Sequence, residues 1–407
     1  MASHGFKVGV SNRSEAKIGI TVARAKAEGN LPLEGYNTGK ELCESLKSPK
    51  VVVILVQAGK PVDATIAMLS EHMSEGDIIV DGGNEWYPNQ TRRHTELGKK
   101  GIRFVGMGIS GGEEGARNGP SLMPGCDAEA WEVIRPIMEA CAAKVPNPVE
   151  GSPEESCTGY LGPTGAGNYV KMVHNGIEYG DMQLIAEAYD VLKNIVGMTN
   201  PDMSRVFSDW NSTELDSYLI EITSKILSKK DDLAKDSELN AFVLDRILDK
   251  TGSKGTGRWT VQEAAEQSVA CPTIAAALDA RYLSSRKDER VAASSVLTGP
   301  AEIPSVAHDQ IVEDLAAAIY CSKLVCYAQG MGLIRAASDH FGWDVDLALC
   351  ARLWRGGCII RAGLLGKIQS ALAANKNLSN LMIDPKIAAE LNSRHRAWRR
   401  IVTLCVA

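Results

Sequence analysis

Residues 165–183 read GAGNYVKMVHNGIEYGDMQ, and this stretch decides where one kind of fold gives way to another. At about 100° per residue, Lys171, His174, Asn175 and Glu178 occupy the i, i+3, i+4 and i+7 positions of one helical stripe, with Tyr179 at its edge. Val170, Val173 and Ile177 form a separate apolar stripe, and further along the polar face itself turns apolar through Met182, Ile185 and Tyr189. The segment is expected to be a core helix whose entrance end carries ionisable groups. The ordinary alternative is a solvated, salt-bridged helix face. Two features turn the reading toward chemistry: the Lys and Glu are seven residues apart, beyond i,i+4 pairing, and the positions between them hold His and Asn. A Lys near apolar surface loses its proton readily and serves as a base, and a nearby Glu can return a proton.

Upstream of this stretch, short apolar runs alternate with helical patterns. FKVGVSN at 6–12, VVVILVQAG at 51–59, DIIVDGG at 77–83 and IRFVGMGISGG at 102–112 read as strands, and their alternation with helices predicts a parallel α/β sheet. PVDATIAMLSEHMSEGD reads as one intervening helix, opened by Pro61 and closed by Gly76. Downstream, strand signals nearly vanish. DDLAKDSELNAFVLDRILDK and QIVEDLAAAIYCSKLVCYAQGMGLIRAASDHFG are long helical patterns, so the second domain is expected to be all helical. The hinge is placed in NPVEGSPEESCTGYLGPTG, rich in Pro, Gly and Ser, giving an α/β domain over 1–164 and a helical domain over 165–407.

Both ends read as interrupted. MASHG resembles the last turn of a helix with Gly as its stop, so a strand feeding that helix is expected before it. AWRRIVTLCVA breaks off inside an amphipathic pattern with no stop signal.

The 407 residues, 44% of them apolar, suit two or three globular domains. A net charge of -6 without blocks of like charge provides no electrostatic footprint for nucleic acid or an anionic membrane, which leaves a small molecule as the expected partner. The ten cysteines include Cys43, Cys126, Cys157 and Cys350. They are scattered without a C-x-x-C pair or a His at ligand spacing, and read as reduced core thiols, with no metal expected. No apolar run approaches the roughly 20 residues of a bilayer span, and no signal-peptide core opens the chain, which predicts a soluble intracellular protein with the cytoplasm as its default compartment.

Ligands of a parallel α/β sheet gather at the carboxyl ends of its strands, where VQAG, DGGN and GISGGEEGAR each place glycines. Ordinary turns are the plainer reading, but three such ends in one domain point to a bound molecule. The G-x-G-x-x-G turn of a dinucleotide site is absent, as expected if the first strand and its loop are missing. At the end of VSNRS, an acidic residue would accept the ribose hydroxyls of NAD. Asn12, Arg13 and Ser14 stand there instead and favour the 2′-phosphate of NADP. TGSKGTGRWT at 251–260 carries Lys254 and Arg258, and DARYLSSRKDER adds Arg281; these suit a phosphate or carboxylate, or are simply surface charge.

Taken together, these segments resemble 6-phosphogluconate dehydrogenase, the NADP-dependent oxidative decarboxylase of the pentose phosphate pathway. The likeness runs through NRS, VDGGNEWY, GISGGEEGARNGPSLMPG, GAGNYVKMVHNGIEYGDMQ, GSKGTGRWT, LSSRKDERVAAS, FGWDVD and LWRGGCIIR in order, and GGNEWY looks most like the plant and cyanobacterial branch. The resemblance implies a Rossmann-like domain followed by an all-helical domain that makes a homodimer. It implies Asn12, Arg13 and Ser14 on the NADP 2′-phosphate, Val56, Gln57 and Ala58 along the cofactor, and Asn84 touching cofactor and sugar. Ser110, Gly111 and Gly112, with His174 and Asn175, would hold the carboxylate end of 6-phosphogluconate; Tyr179, Lys254 and Arg281 would hold its phosphate. Lys171 would take the C3 hydroxyl proton as hydride leaves C3, and after loss of CO2 Glu178 would protonate C1 to give ribulose 5-phosphate. The β-keto group is its own electron sink, so the family reaction needs no metal.

Gln57 stands where that family commonly has Lys, and the sequence stops before the C-terminal tail, holding an Arg and a His, that in the family crosses into the partner's active site. Two alternatives follow. One is another β-hydroxyacid dehydrogenase, such as one acting on hydroxyisobutyrate, against which HNGIEYGDMQ and LWRGGCIIR argue. The other is an inactive, shortened homologue that dimerises or binds NADP without turnover. A plastid location would require a targeting segment before Met1.

Overall fold

The computed structural model describes residues 1–147, 151–233, 241–299 and 307–406. The chain forms two compact units: residues 1–172 with 338–358, and residues 173–337 with 359–407.

The first unit opens with a single 3-10 turn, Ala2–His4, stopped by Gly5 at φ 83, as the helix-end reading of MASHG anticipates. Then β1 (Val8–Ser11), α1 (Glu15–Ala27), β2 (Leu33–Tyr36) and α2 (Gly39–Ser45) lead into β3 (Val51–Ile54). They are followed by α3 (Lys60–Ser70), β4 (Ile78–Asp81), α4 (Tyr87–Gly98), β5 (Arg103–Ser110), α5 (Gly112–Asn118), β6 (Ser121–Gly125) and α6 (Ala128–Cys141). A small antiparallel pair, β7 (Lys144–Val145) and β8 (Glu155–Ser156), precedes α7 (Ala166–Asp190).

β3, β4 and β5 are parallel neighbours, with Val51 opposite Ile78 and Ile78 opposite Arg103. Side chains alternate across the pleat and both faces are apolar. Val52, Ile54, Ile79 and Phe104 pack with α2, α3 and α4 on one face. Ile78, Val80, Val105 and Met107 pack with Ala130, Trp131, Ile134 and Met138 of α6 on the other. A strand buried on both faces reads as a continuous hydrophobic run, which is why VVVI and IIV were legible. Each such side chain taken fully out of water contributes about 1.5–3 kcal/mol.

The wholly parallel expectation needs correction. β6 runs antiparallel to β5, with Ser110 opposite Ser121. The excursion between them holds only the short α5, less than the dozen or so residues a parallel crossover requires, so the chain folds back. Among the described residues β1 pairs only with β2, in a separate parallel two-stranded sheet that the sequence reading did not separate. LEGY has too little apolar alternation to announce itself.

Of the expected hinge, residues 148–150 lie outside the described residues. The remainder is tied into the first unit through β8, where Arg352 Nη2 donates to the Thr158 carbonyl at 3.1 Å.

The second unit continues α7 and adds α8 (Asn200–Trp210), α9 (Tyr218–Ser228), α10 (Val243–Arg246), α11 (Thr256–Glu266), α12 (Pro272–Ser285) and α13 (Lys287–Ser294). Then come α14 (His308–Phe341), whose last turn belongs to the first unit, as does α15 (Leu347–Leu353), followed by α16 (Leu364–Ala374) and α17 (Pro385–Val406). No β-strand longer than an isolated bridge occurs among its described residues, in line with the all-helical expectation. The pattern over 231–250 is less helical than read: among its described residues only Val243–Arg246 forms a helix, and 234–240 lie outside them. α14 is the long helix anticipated from its apolar periodicity, and Arg400 of α17 grips Asp314 near its start with two hydrogen bonds of 2.6 Å.

Candidate functional site

α7 is one continuous helix from 166 to 190. Its first turns belong to the first unit and are seated on glycines. A Cβ built on Gly108 of β5 would lie 2.3 Å from the Cβ of Lys171, and one on Gly106 would lie 2.8 Å from Oδ1 of Asn168. One on Gly125 of β6 would lie 2.5 Å from the Gly167 nitrogen. These glycines let the Lys171 stem lie directly on the strand backbone. The sequence reading assigned glycines only to strand ends, so this track inside the strands was missed; its signal is the G-x-G within VGMGIS.

The stripe is buried. Lys171 is 5% exposed, His174 0% and Asn175 8%, while Glu178 is half-buried. That excludes a solvated, salt-bridged face. His174 Nδ1 stands 2.9 Å from Asn175 Oδ1; with the amide oxygen accepting, Nδ1 carries the proton and Nε2 is the acceptor nitrogen.

The other candidates of the first unit lie at strand ends. Asn12 and Arg13 are exposed after β1, and Asn12 Oδ1 accepts from the Ser14 N–H at 2.9 Å, shaping the turn before α1. Arg13 makes no ion pair or hydrogen bond among the described residues, so its guanidinium is available to an anion. After β3, Leu55 and Val56 are exposed with Gln57, and Ala58 is half-buried. After β4, Gly82 is closed in: a Cβ there would meet Ile109 at 2.7 Å and Leu55 at 2.8 Å, and the next turn holds Asn84 exposed. After β5, Ser110 is buried, and Gly111 (φ 138) and Gly112 (φ 57) adopt backbone that favours glycine. Part of that glycine pair serves the protein itself, since a Cβ on Gly111 would lie 2.5 Å from the Gly357 carbonyl.

A buried network underlies two of these ends and was not anticipated. Arg93, 1% exposed, donates to Glu85 Oε2 at 2.8 Å, to Gln90 Oε1 at 3.1 Å, to Asp63 at 2.8 Å and to the Gly59 carbonyl at 3.0 Å. Glu85 Oε2 in turn accepts the Gly59 N–H at 2.7 Å. Burial alone would raise the Glu85 carboxyl, but hydrogen bonds from Asn89, the Gly59 N–H and Arg93 outweigh it and hold it below the usual range. Asp81, fully buried, is pushed up by desolvation despite bonds from the Gly83 N–H and Gln90.

In the second unit, α7 carries Tyr179 against α11, where Gly257 leaves room for its ring. The Arg281 guanidinium lies 4.5 Å from the centre of that ring and donates to the Gly252 carbonyl at 2.7 Å; the Tyr179 hydroxyl is 3.3 Å from Ser253 Oγ. Lys254, on the same loop, is exposed and forms no ion pair among the described residues. Tyr179, Arg281 and the 251–255 loop are thus brought together, a cationic and hydroxyl-bearing cluster that can bind an anion. Three residues past Glu178, Asp181 is buried in an ion pair with Lys323 at 2.7 Å, another feature no local pattern revealed.

Two family models match the chain: the NAD-binding domain of 6-phosphogluconate dehydrogenase over residues 1–162 and the 6-phosphogluconate dehydrogenase C-terminal domain over 167–407. A rice decarboxylating 6-phosphogluconate dehydrogenase 1 is 52% identical, over 100% of this chain and 82% of its own length. A decarboxylating 6-phosphogluconate dehydrogenase of Synechocystis is 47% identical over 99% of this chain and 81% of its own. Among solved structures, Plasmodium falciparum 6-phosphogluconate dehydrogenase, studied apo, with NADP+ and with 6-phosphogluconate, superposes with a TM-score of 0.91 at 44% identity. It covers 100% of this chain and 84% of that one.

Proposed function

The chain belongs to the 6-phosphogluconate dehydrogenase family, and from that membership we propose that it converts 6-phosphogluconate and NADP to ribulose 5-phosphate, CO2 and NADPH, with Lys171 as base and Glu178 as acid. The burial of Lys171, His174 and Asn175 on one stripe of α7 carries this reading, because ionisable groups are kept out of water where they work on a bound molecule.

The residues present fit the cofactor. An exposed Arg13 without a partner among the described residues stands after β1 as a cation for a 2′-phosphate, and Leu55 and Val56 present apolar surface after β3. Asn12, Arg13 and Ser14 would hold the 2′-phosphate, and Val56, Gln57, Ala58 and Asn84 would line the rest. When bound, NADP supplies the acceptor for the hydride that leaves C3.

Lys171, as the neutral amine, takes the C3 hydroxyl proton, so that a 3-keto acid forms. Its C1–C2 bond then breaks, and the electron pair moves into the enediol as CO2 departs. The ammonium of Lys171 returns its proton to the C3 oxygen of the enediol. Glu178 then delivers a proton to the former C2, which becomes C1 of the product, while Lys171 takes back the proton of the C3 hydroxyl and the ketone of ribulose 5-phosphate forms. Ser110, Gly111, Gly112, His174 and Asn175 hold the carboxylate end, while Tyr179, Lys254 and Arg281 hold the phosphate. The Arg281–Tyr179–Ser253 cluster supports the phosphate assignment, since its cation is already oriented by the Gly252 carbonyl.

A homodimer is the proposed assembly. Ile247, Leu248, Leu283, Val291, Val296 and Leu297 of the helical unit are each more than half exposed, an apolar surface of the sort that a partner subunit covers. No helix among the described residues is long and apolar enough to cross a membrane. Relatives include forms named chloroplastic and forms not so named; the cytoplasm is our assignment, and subcellular fractionation checks it.

NADPH absorbance with 6-phosphogluconate and NADP tests the reaction. Wild-type chain should turn over with NADP well above NAD, and Lys171→Ala should lower kcat by about 10³-fold or more, Glu178→Ala by roughly 10²-fold. NADP-linked turnover unchanged in Lys171→Ala, or none in folded wild-type protein, would overturn the proposal.

A further inference from the structure

The network around Arg93 does more than neutralise buried charge: it grips two glycines past the strand ends, each by both its N–H and its carbonyl. Gly59 donates its N–H to Glu85, and its carbonyl accepts from Arg93 Nη2 at 3.0 Å. Gly83 donates its N–H to Asp81 Oδ1 at 3.0 Å, and its carbonyl accepts from Asn168 Nδ2 at 3.3 Å. Gln90 joins the two clamps. Its Nε2 donates to Asp81 at 3.0 Å and to Asn168 Oδ1 at 3.3 Å, while its Oε1 accepts from Arg93.

Asn168 is therefore the point where the network reaches α7. It lies three residues, less than one turn, ahead of Lys171, and the carbonyl it holds belongs to the residue before Asn84. Gly106 leaves the space its amide occupies. Asn168 is 1% exposed and Gln90 0%, so neither reaches a substrate from the surface. A buried polar chain in which the amides have both donor and acceptor ends engaged has one low-energy arrangement, and it transmits that arrangement to whatever it holds.

We propose that Asn168, backed by Gln90 and Arg93, is a positioning residue that fixes the Asn84 loop relative to Lys171, and so sets the geometry in which the C3 proton and hydride leave. The inference rests on the reading of Lys171 as the base and Asn84 as a substrate and cofactor contact. It predicts a loss in the chemical step, because misplacement by about 1 Å can cost ~10²-fold in rate.

The test is Asn168→Ala, with Gln90→Met as a second variant that keeps side-chain volume should the first fail to fold. In steady-state assays kcat should fall roughly 10- to 100-fold, with KM for 6-phosphogluconate and NADP shifting less than about threefold. The primary deuterium isotope effect on kcat, measured with substrate deuterated at C3, should rise above the wild-type value. Amide hydrogen exchange across 82–86 should quicken by about tenfold or more. A kcat lowered only in proportion to the folded fraction, with isotope effect and exchange as in wild type, would assign Asn168 a purely structural part and overturn the inference. Failure of the functional reading is seen separately, as absence of NADPH in the wild-type control. Exchange then decides alone, and wild-type protection of 82–86 in both variants sinks the positioning role.

Discussion

α7 is anchored to two buried ionic clusters of opposite design. Near its start, Asn168 joins the network of Arg93, Asp81, Glu85 and Gln90, in which one guanidinium serves two buried carboxylates and a backbone carbonyl. Thirteen residues later, Asp181 meets Lys323 in a single contact of 2.7 Å, and its other oxygen, Oδ1, has no hydrogen-bond partner among the described residues. A planar guanidinium with five donors can satisfy several acceptors at fixed angles, whereas an ammonium at the end of a flexible stem marks one point. The first cluster organises loops; the second joins two helices. A buried pair with an unsatisfied oxygen contributes little net stability, since desolvation of both charges offsets their attraction.

The contrast can be broken most forcefully at Arg93. Arg93→Met leaves Asp81 and Glu85 buried without their cation, and should cost about 3–5 kcal/mol in urea unfolding. A loss under 1 kcal/mol would show the network to be ornamental. Lys323→Met should cost less, ~2 kcal/mol, because Asp181, whose carboxyl burial already pushes up, can take a proton and become neutral. The double variant Asp181→Leu with Lys323→Met should return to within about 1 kcal/mol of wild type. A double variant as unstable as the single one would mean that the pair is a net stabiliser.

The smallest effect sharpens the comparison by pH. In Asp63 burial raises the carboxyl, but Arg93 and Arg92 overcome it and hold it low, and Glu85 is held low in the same sense. Carboxyls depressed by folding contribute stability above their unfolded pKa and lose it as pH falls through the folded one, below about 4. Asp181 is raised, so its protonated form is favoured on folding, and its contribution is present at low pH and lost as pH rises through its folded value. Asp81 of the Arg93 network is raised as well, so the contrast is carried by Asp63 and Glu85, and acid should loosen the segments these two hold before it loosens the Asp181–Lys323 contact. Hydrogen exchange of peptides from β4 and α7 between pH 3 and 6 checks the order, and simultaneous loosening would contradict it.

Much of this arrangement was legible in the chain. The stripe Lys171, His174, Asn175 and Glu178 was found by period alone, and β3, β4 and β5 by their apolar runs. β2 escaped because Leu33 and Tyr36 are isolated apolar residues around Glu34 and Gly35. The reversal into β6 escaped because direction is set by the length of a connection, not by the strand's own residues. Gly106 and Gly108 read as ordinary strand positions until Asn168 and Lys171 were seen lying against them.

What the sequence determined by itself is what repeats locally: which segments are helix or strand, and which residues share a face, because side chains three or four apart on a helix and two apart on a strand meet through backbone geometry alone. Partner choice was left to the tertiary structure. Gln90 and Asn168 are 78 positions apart and Lys323 and Asp181 are 142 apart. No local period distinguishes a Gln, Asn or Lys bound for solvent from one that will be buried against a partner far along the chain; the distinction arises only when packing removes water and leaves each polar group to whatever the fold has brought beside it.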